Sequence, residues 1–370
     1  MASTPMDITA DVLVVGLGPA GGAAAFSAAS AGLKVIALER KREIGVPVQC
    51  AEFIPLPMAK YARGAGVLQQ RISGMKSVLP SGAVAKTDFP GMMVDRAAFD
   101  KALSTQAEQA GATLYSDSRL LGLDAAACTA SVLIARERQV RVRYRVLIAA
   151  DGPHSPVARR LGLASLERVY ARQYTVALQR CYADTDVWLS DAYPGGYAWL
   201  FPKAKVANVG LGMDTRYTEN LKQPLDDLHR QLVREGLVGA AIHARTGGAI
   251  PVGGMREQLV VGNILFVGDA AGLTHPITGA GIAAAVISGE RAGQAAAELL
   301  GKGKKRALEE FEEDVRDQFE TALTRALDRR RWLDGFWCRP EAREDRVLRN
   351  SWIAFPEYFS DQSMPAKFAA

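Results

Sequence analysis

The 370-residue sequence has little with which to do metal or disulfide chemistry. Its four cysteines, Cys50, Cys128, Cys181 and Cys338, form no Cys-x-x-Cys pair, no zinc spacing and no disulfide framework, so a reducing, cytoplasmic setting is expected. The four histidines, His154, His229, His243 and His275, are equally scattered, and no metal site is expected. No apolar run reaches the ~18 residues that a membrane-spanning helix needs. Met1 to Thr9 lacks a charged stretch followed by an apolar one, so no signal peptide is expected either. A net charge of +5, without basic stripes interleaved with aromatic residues, argues against a nucleic-acid partner. What remains is a globular chain long enough for about two or three domains.

Glycine, by contrast, is abundant and placed. Val12 to Val15 reads as a buried parallel strand, and Gly16, Gly18 and Gly21 follow as G-x-G-x-x-G around Pro19 and Ala20. An Ala-rich helix runs to Ala31 and stops at Gly32, and a second strand, Val35 to Leu38, ends on Glu39 and Arg40. This order is a βαβ unit opening on a phosphate-binding turn. Gly16 permits the tight turn, Gly18 lets the backbone approach a pyrophosphate, and Gly21 lets the helix pack on the strand. The helix start offers unpaired N–H groups to the phosphates. Glu39 can accept hydrogen bonds from a ribose diol. These residues alone leave NAD and FAD both open.

Cys50 follows in a loop that can return towards the cofactor. Arg71 to Phe89 reads as a hairpin about Pro80-Ser81-Gly82, and the segment after Arg96 as a helix with Phe99, Leu103 and Ala107 on one face. Ser131 to Ala135 and Val140 to Ala150 read as a strand pair running into Asp151-Gly152. From Gln173 to Met213 the chain is a series of extended segments expected to form an antiparallel sheet. Tyr197, Trp199 and Phe201 alternate on one of them and therefore share a face. Pro224 to Glu235 and Ala307 to about Arg331 read as helices. Ile264 to Val267 reads as a buried strand ending at Gly268-Asp269, with a small-residue helix from near Gly281. Trp332 to Ala370 reads as an irregular tail. The basic runs Lys302–Arg306 and Arg329–Arg331 allow at most peripheral contact with an anionic membrane.

Three pieces together resemble the p-hydroxybenzoate-hydroxylase type of flavoprotein: the opening βαβ, Ala150-Asp151-Gly152, and Leu265-Phe-Val-Gly-Asp-Ala-Ala-Gly272. Within that superfamily the chain is most similar to the geranylgeranyl reductase group. Tyr197-Ala-Trp199-Leu-Phe201-Pro202 followed by Gly210-Leu-Gly212 matches that group's signature, Pro47-Val-Gln-Cys50 its loop cysteine, and Gly279-Ala-Gly281-Ile282 its flavin-edge turn. Ala51-Glu52 departs from it, since glycine is commoner there. The likeness covers about residues 10 to 300.

The resemblance, with the order of elements, implies an α/β plus antiparallel β fold: a three-layer Rossmann-type FAD-binding domain, an inserted substrate domain and a C-terminal helical region. The expected boundaries are 1–75 with 96–165 and 250–300 for FAD, 76–95 with 166–249 for substrate, and 301–370 for the rest. It implies that FAD is held by Gly16, Gly18, Pro19, Ala20, Gly21, Glu39, Arg40, Cys50, Ala51, Arg96, Asp151, Gly152, Gly268, Asp269, Pro276, Gly279, Gly281 and Ile282. In that scheme Asp269 meets the ribityl and pyrophosphate portion, and the turn from Pro276 aims N–H groups at the flavin edge that becomes anionic on reduction. Cys50, Tyr197 and Trp199 are the candidate catalytic residues, although a packing cysteine and a sheet core account for the same letters. His275 is open between tuning the flavin and capping the turn.

The leading expectation is an FAD-dependent reductase of carbon–carbon double bonds in an isoprenoid-like apolar substrate, with hydride from N5 of the reduced flavin. A monooxygenase is the second reading, and an electron-supplying flavoprotein in lipoate-type cofactor assembly the third. There is no second G-x-G-x-x-G, so electrons would come from transiently docked NAD(P)H or a reduced electron-carrier protein.

Overall fold

The computed structural model describes residues 6–360. Strands Val12–Val15 and Val35–Leu38 form as expected, every residue buried. Helix Pro19–Ser30 starts on a proline, which suits a first turn whose N–H has no intrahelical partner. The chain leaves it through Gly32 at φ +83.

These elements sit in a six-stranded sheet ordered Val260–Val261, Ile264–Phe266, Val146–Ala149, Val12–Val15, Val35–Leu38 and Thr113–Tyr115. All neighbours are parallel except the short edge pair Val260–Val261 and Ile264–Phe266. After Val35–Leu38 and Thr113–Tyr115 the chain crosses to the other side of Val12–Val15, so the order reverses there. In open α/β sheets the binding crevice lies at such a point, beyond the carboxyl ends of the strands.

Helix Pro19–Ser30 packs between helices Arg96–Gln109 and Ile282–Lys302. Small residues set these spacings. A Cβ on Gly289 would stand 2.1 Å from the Ala20 carbonyl oxygen, and one on Gly293 would stand 2.7 Å from that of Ala24. A four-stranded sheet, Met6–Thr9, Arg138–Arg143, Thr129–Ile134 and Arg119–Asp124, shares the same core through Val132, Val140 and Val142.

The second large sheet has eight strands, ordered Val238–Pro251, Arg168–Leu178, Val206–Met213, Tyr197–Lys203, Asp184–Trp188, Leu68–Val78, Val84–Val94 and Phe53–Pro55. Helix Lys222–Arg234 covers its outer face with Leu225, Leu228 and Leu232 against Tyr174, Leu200 and Val209.

Several expectations need correction. The boundary at residue 75 falls inside strand Leu68–Val78, and Phe53–Pro55 also belongs to the second sheet. The boundary at 250 falls inside strand Val238–Pro251, a Gly- and Ala-rich segment whose alternation is too weak to read. Val140 to Ala150 is two strands in two sheets, because the chain passes from one to the other at Tyr144 and Arg145. The second sheet is mixed, since Asp184–Trp188 runs parallel to Leu68–Val78.

Residues beyond Trp332 are also ordered up to residue 360, the last described. Helix Ala307–Asp334 leads to Pro340–Arg343, Asp345–Ser351 and Pro356–Phe359, and Leu348, Trp352 and Phe355 pack on Met75, Val187 and Leu189 of the second sheet. The two basic runs differ: Lys302–Arg306 is exposed, whereas two of the three arginines in Arg329–Arg331 are inside. Arg329 and Arg330 are buried, and Arg306 pairs with Glu309 and Glu313.

Candidate active site

The Gly-rich turn behaves as its glycines require. Gly16 is at φ +98, and a Cβ there would lie 2.4 Å from the Ala150 carbonyl oxygen. A Cβ on Gly21 would lie 1.8 Å from the Gly16 oxygen, whereas one on Gly18 would meet nothing within 4 Å. The turn is therefore packed on two sides and open on the third, above Gly18 and the start of helix Pro19–Ser30. Glu39, 8% exposed, accepts from the backbone N–H of Leu17 at 3.0 Å and of Lys41 at 2.9 Å, which fixes its carboxylate beside the turn. Arg40 is exposed and, with Lys41, Arg42 and Arg136, lines an open cleft of about 810 Å3 next to Glu39.

Asp151 and Gly152 close the crevice from the neighbouring strand. The Asp151 carboxylate accepts from the Ser155 hydroxyl at 2.7 Å and the Val157 N–H at 2.8 Å, and burial pushes its pKa up. Gly152 is at φ +78 with open space at its Cβ position. Gly268 is at φ +56, with its N–H on the Ser288 hydroxyl at 3.1 Å. Asp269 is half-buried, and loss of solvent raises its pKa; it accepts from the Thr274 hydroxyl at 2.7 Å and feels the charge of Arg96. Arg96 is no surface ion pair. Its side chain is 15% exposed, and its guanidinium grips the buried Asp100 at 3.0 Å through both carboxylate oxygens.

The turn before helix Ile282–Lys302 is built around His275. Its Nδ1 accepts from the N–H groups of Ile277 at 3.3 Å and Thr278 at 3.2 Å, and its backbone N–H donates to Ala280. Pro276 is buried in this turn, Gly279 sits at φ +67, and Gly281 caps the helix without a side chain, so the first N–H groups beyond it stay unspent. Burial lowers the His275 pKa to about 4, so the ring is neutral at pH 7 and serves the turn as an acceptor. Because its folded pKa lies below the unfolded value, the contribution it makes to stability is complete above about pH 6.5 and fades as pH falls from there toward 4, by at most about 1.4 kcal/mol per pH unit. Thermal midpoints measured across that window are expected to fall more steeply for the wild type than for His275→Asn, whose amide accepts without titrating. Parallel curves would refute this role.

Facing the turn is an aromatic wall. Tyr197, Trp199 and Phe201 do share the inner face, and ring contacts continue at both ends. Phe89 to Phe53 is 5.7 Å, Phe53 to Phe201 6.1 Å, Phe201 to Trp199 6.4 Å, Trp199 to Tyr197 5.6 Å and Tyr197 to Trp352 4.9 Å. Gly210 makes room for the Trp199 indole, which would lie 2.4 Å from a Cβ there. The Tyr197 hydroxyl donates to the Thr278 carbonyl, joining the wall to the turn. Trp199 donates to Gln173 at 3.0 Å, and Gln173 donates to the Cys50 carbonyl at 3.1 Å. The Cys50 thiol faces Arg96 and Tyr197, accepts from the Glu52 N–H at 3.2 Å, and is pushed up in pKa by burial. Ala51 lends its carbonyl to Asn208 at 3.4 Å.

Gln173, Asn208, Lys203, Trp352 and Tyr358 were not singled out from sequence. Lys203 directly follows the Tyr-x-Trp-x-Phe-Pro signature, and Trp352 is one of several aromatic residues in the tail; those were the available signals. Tyr358 reaches His275 Nε2 at 3.4 Å. Among the described residues no group of His, Cys, Asp and Glu could hold a metal ion.

FAD fits this arrangement: open space over Gly18 for a pyrophosphate, a fixed carboxylate for a ribose, and an uncapped helix start behind Gly281 for the ring edge. Fold and site define a Rossmann-type FAD-dependent oxidoreductase. Family profiles described as "FAD binding domain" match residues 90–326 and 11–53. Digeranylgeranylglycerophospholipid reductase 1 of Methanopyrus kandleri is 37% identical over 84% of this chain and 88% of its own length. The corresponding reductase of Methanococcus aeolicus is 30% identical over 90% and 88%. A crystal structure of a geranylgeranyl bacteriochlorophyll reductase-like protein from Thermoplasma acidophilum superposes with a TM-score of 0.83 at 29% identity, covering 97% of this chain and 95% of that one. A flavin-dependent halogenase shares the fold at 19% identity, with a TM-score of 0.72 over 93% of this chain and 68% of that one. The chain belongs to the digeranylgeranylglycerophospholipid reductase family.

Proposed function

We propose that this protein saturates carbon–carbon double bonds in the isoprenoid chains of a lipid. The observation that carries the proposal is the unbroken ladder of six aromatic rings, from Phe89 to Trp352, that ends at the flavin-edge turn through Tyr197. A continuous apolar wall suits a polyprenyl chain. It does not suit the polar pocket of a hydroxylase or the open face an electron-transfer partner would need.

Bound and reduced, FAD would supply a hydride from N5. The rest is done by the chain. Tyr197, Trp199 and Phe201 align an alkene along the wall, and the tail carrying Trp352 excludes water from it. Burial keeps the Cys50 Sγ protonated, so a proton is held there for the second alkene carbon. As that proton leaves, the Glu52 N–H and the Arg96 guanidinium face the developing thiolate. Arg96 thus serves Cys50 as well as the cofactor side. NAD(P)H or a reduced carrier protein is the proposed electron source, and the cleft beside Glu39, Arg40 and Arg42 carries the positive charge either would meet.

The test is an anaerobic titration of photoreduced protein with polyprenyl lipids. Reoxidation of the flavin with formation of saturated product is expected. No reoxidation by any prenyl compound, or product that appears only with oxygen, would sink the proposal.

A further inference from the structure

We infer that Glu52 is a positioning residue for the Cys50 thiol, acting through a buried tie to Lys203; this rests on Cys50 being the proton donor proposed above. Glu52 stands at φ +72, a backbone region that glycine occupies freely and other residues rarely do. It is nevertheless 4% exposed and fully engaged. Its carboxylate accepts from Lys203 Nζ at 2.8 and 3.0 Å, from Asn208 Nδ2 at 2.8 Å and from the Arg96 backbone N–H at 3.0 Å. Lys203, 13% exposed, also reaches Asp95 at 3.2 Å, and the Asn208 side-chain oxygen is held by Thr175 at 3.1 Å.

The partners come from three elements: the end of the aromatic strand Tyr197–Lys203, its neighbour Val206–Met213, and the start of helix Arg96–Gln109. One carboxylate thereby pins the cysteine loop to the wall that holds the substrate and to the helix that carries Arg96. The consequence falls on Cys50. The N–H of the pinned residue donates to Sγ, while Gln173 holds the carbonyl of Cys50 from the other side. Glycine would make the same turn without the pin. Burying an ion pair is costly in water lost from both partners, so the turn alone gives no reason for a glutamate here. A fixed sulfur does, because proton transfer depends steeply on distance.

The experiment compares holoprotein variants Glu52→Gly, Glu52→Gln, Lys203→Met and Cys50→Ala. Three quantities are read: flavin reoxidation by a geranylgeranyl-chain phospholipid, its solvent deuterium isotope effect, and the rate at which iodoacetamide alkylates Cys50. Glu52→Gly and Lys203→Met are each expected to slow reoxidation at saturating substrate about 10- to 100-fold with KM unchanged. Both are also expected to raise the isotope effect and hasten alkylation. The double variant should be no slower than Glu52→Gly, since one tie has been cut.

Glu52→Gly behaving as wild type in all three readouts overturns the inference, because the turn alone then suffices. A loss confined to KM or to FAD content overturns it too. Should Glu52→Gly fail to fold, Glu52→Gln and Lys203→Met carry the same comparison. Cys50→Ala separates the two claims. Full activity there refutes Cys50 as acid, whereas a slow Cys50→Ala beside an unaffected Glu52→Gly refutes only the pin.

Discussion

Alanine at position 18 is expected to leave the FAD-free protein as stable as the wild type while abolishing FAD retention. Alanine at position 21, one turn away, is expected to prevent folding. Gly18 has φ −72 and ψ −168, which any residue adopts, and a methyl there meets no protein atom within 4 Å. The substitution even removes some freedom from the unfolded chain, a gain of about 0.4–1 kcal/mol. The space it fills is the open side of the turn, where we propose the pyrophosphate lies. The methyl on Gly21 would stand 1.8 Å from the Gly16 oxygen and 2.8 Å from its carbonyl carbon, both backbone atoms of a turn already pressed on Ala150. Nothing in that contact can give. Unfolding with and without added FAD reads both: ligand raises the wild-type midpoint through mass action and leaves Gly18→Ala unmoved. A Gly18→Ala protein that purifies with a full complement of FAD would overturn the placement of the phosphates.

Replacing Asp214 with asparagine is expected to cost about 3–5 kcal/mol, the usual range for breaking a buried pair. Asp214 is 2% exposed and Arg330 5%. Their contact at 2.9 Å joins helix Ala307–Asp334 to the end of strand Val206–Met213, and Arg330 also donates to the Gly195 carbonyl at 2.8 Å. Asparagine keeps the shape and removes the charge, leaving a buried guanidinium without its counter-ion. Arg216, whose side chain is 50% exposed, also holds Asp214, at 2.7 Å.

The pair carries a pH signature. Burial pushes the Asp214 pKa up, but hydrogen bonds from Arg216 and the charges of Arg216 and Arg330 outweigh it, and the carboxyl titrates below its ordinary value. Its contribution is therefore full above the ordinary carboxylate pKa of about 3.9 and is lost as pH falls through the lower folded value. Chemical unfolding of Asp214→Asn, Arg330→Met and the double variant checks the assignment. The double variant should be less destabilised than the sum of the singles. Additive losses would mean that the two side chains act independently.

The opening βαβ was legible because its signals are local: apolar runs of four, glycines at fixed offsets, an acid at the strand end. Gly18 and Gly21 differ in the structure as their places in the motif imply. The shared face of Tyr197, Trp199 and Phe201 was legible for the same reason, as a two-residue period. The rest depends on contacts that no window of sequence contains. Strand Val238–Pro251 is recruited by pairing with Arg168–Leu178, not by its own weak alternation. The tail forms short helical turns because Trp352 and Phe355 find the sheet. Trp352 donates to the Ser77 hydroxyl at 3.0 Å across 275 residues of chain. Glu52 looked like a mere departure from glycine until Lys203 and Asn208 stood beside it.

One feature of the fold also governs how the protein is made. The parallel sheet takes Val12–Val15 and Val35–Leu38 from the first forty residues, but Val146–Ala149 and Ile264–Phe266 arrive much later in synthesis, and Trp352 and Tyr358 later still. A nascent chain on the ribosome therefore exposes an apolar sheet edge until its C-terminal part emerges. Contacts of such wide separation fold slowly. No fragment ending before residue 264 carries the whole sheet, and none ending before 352 carries the cover of the aromatic wall.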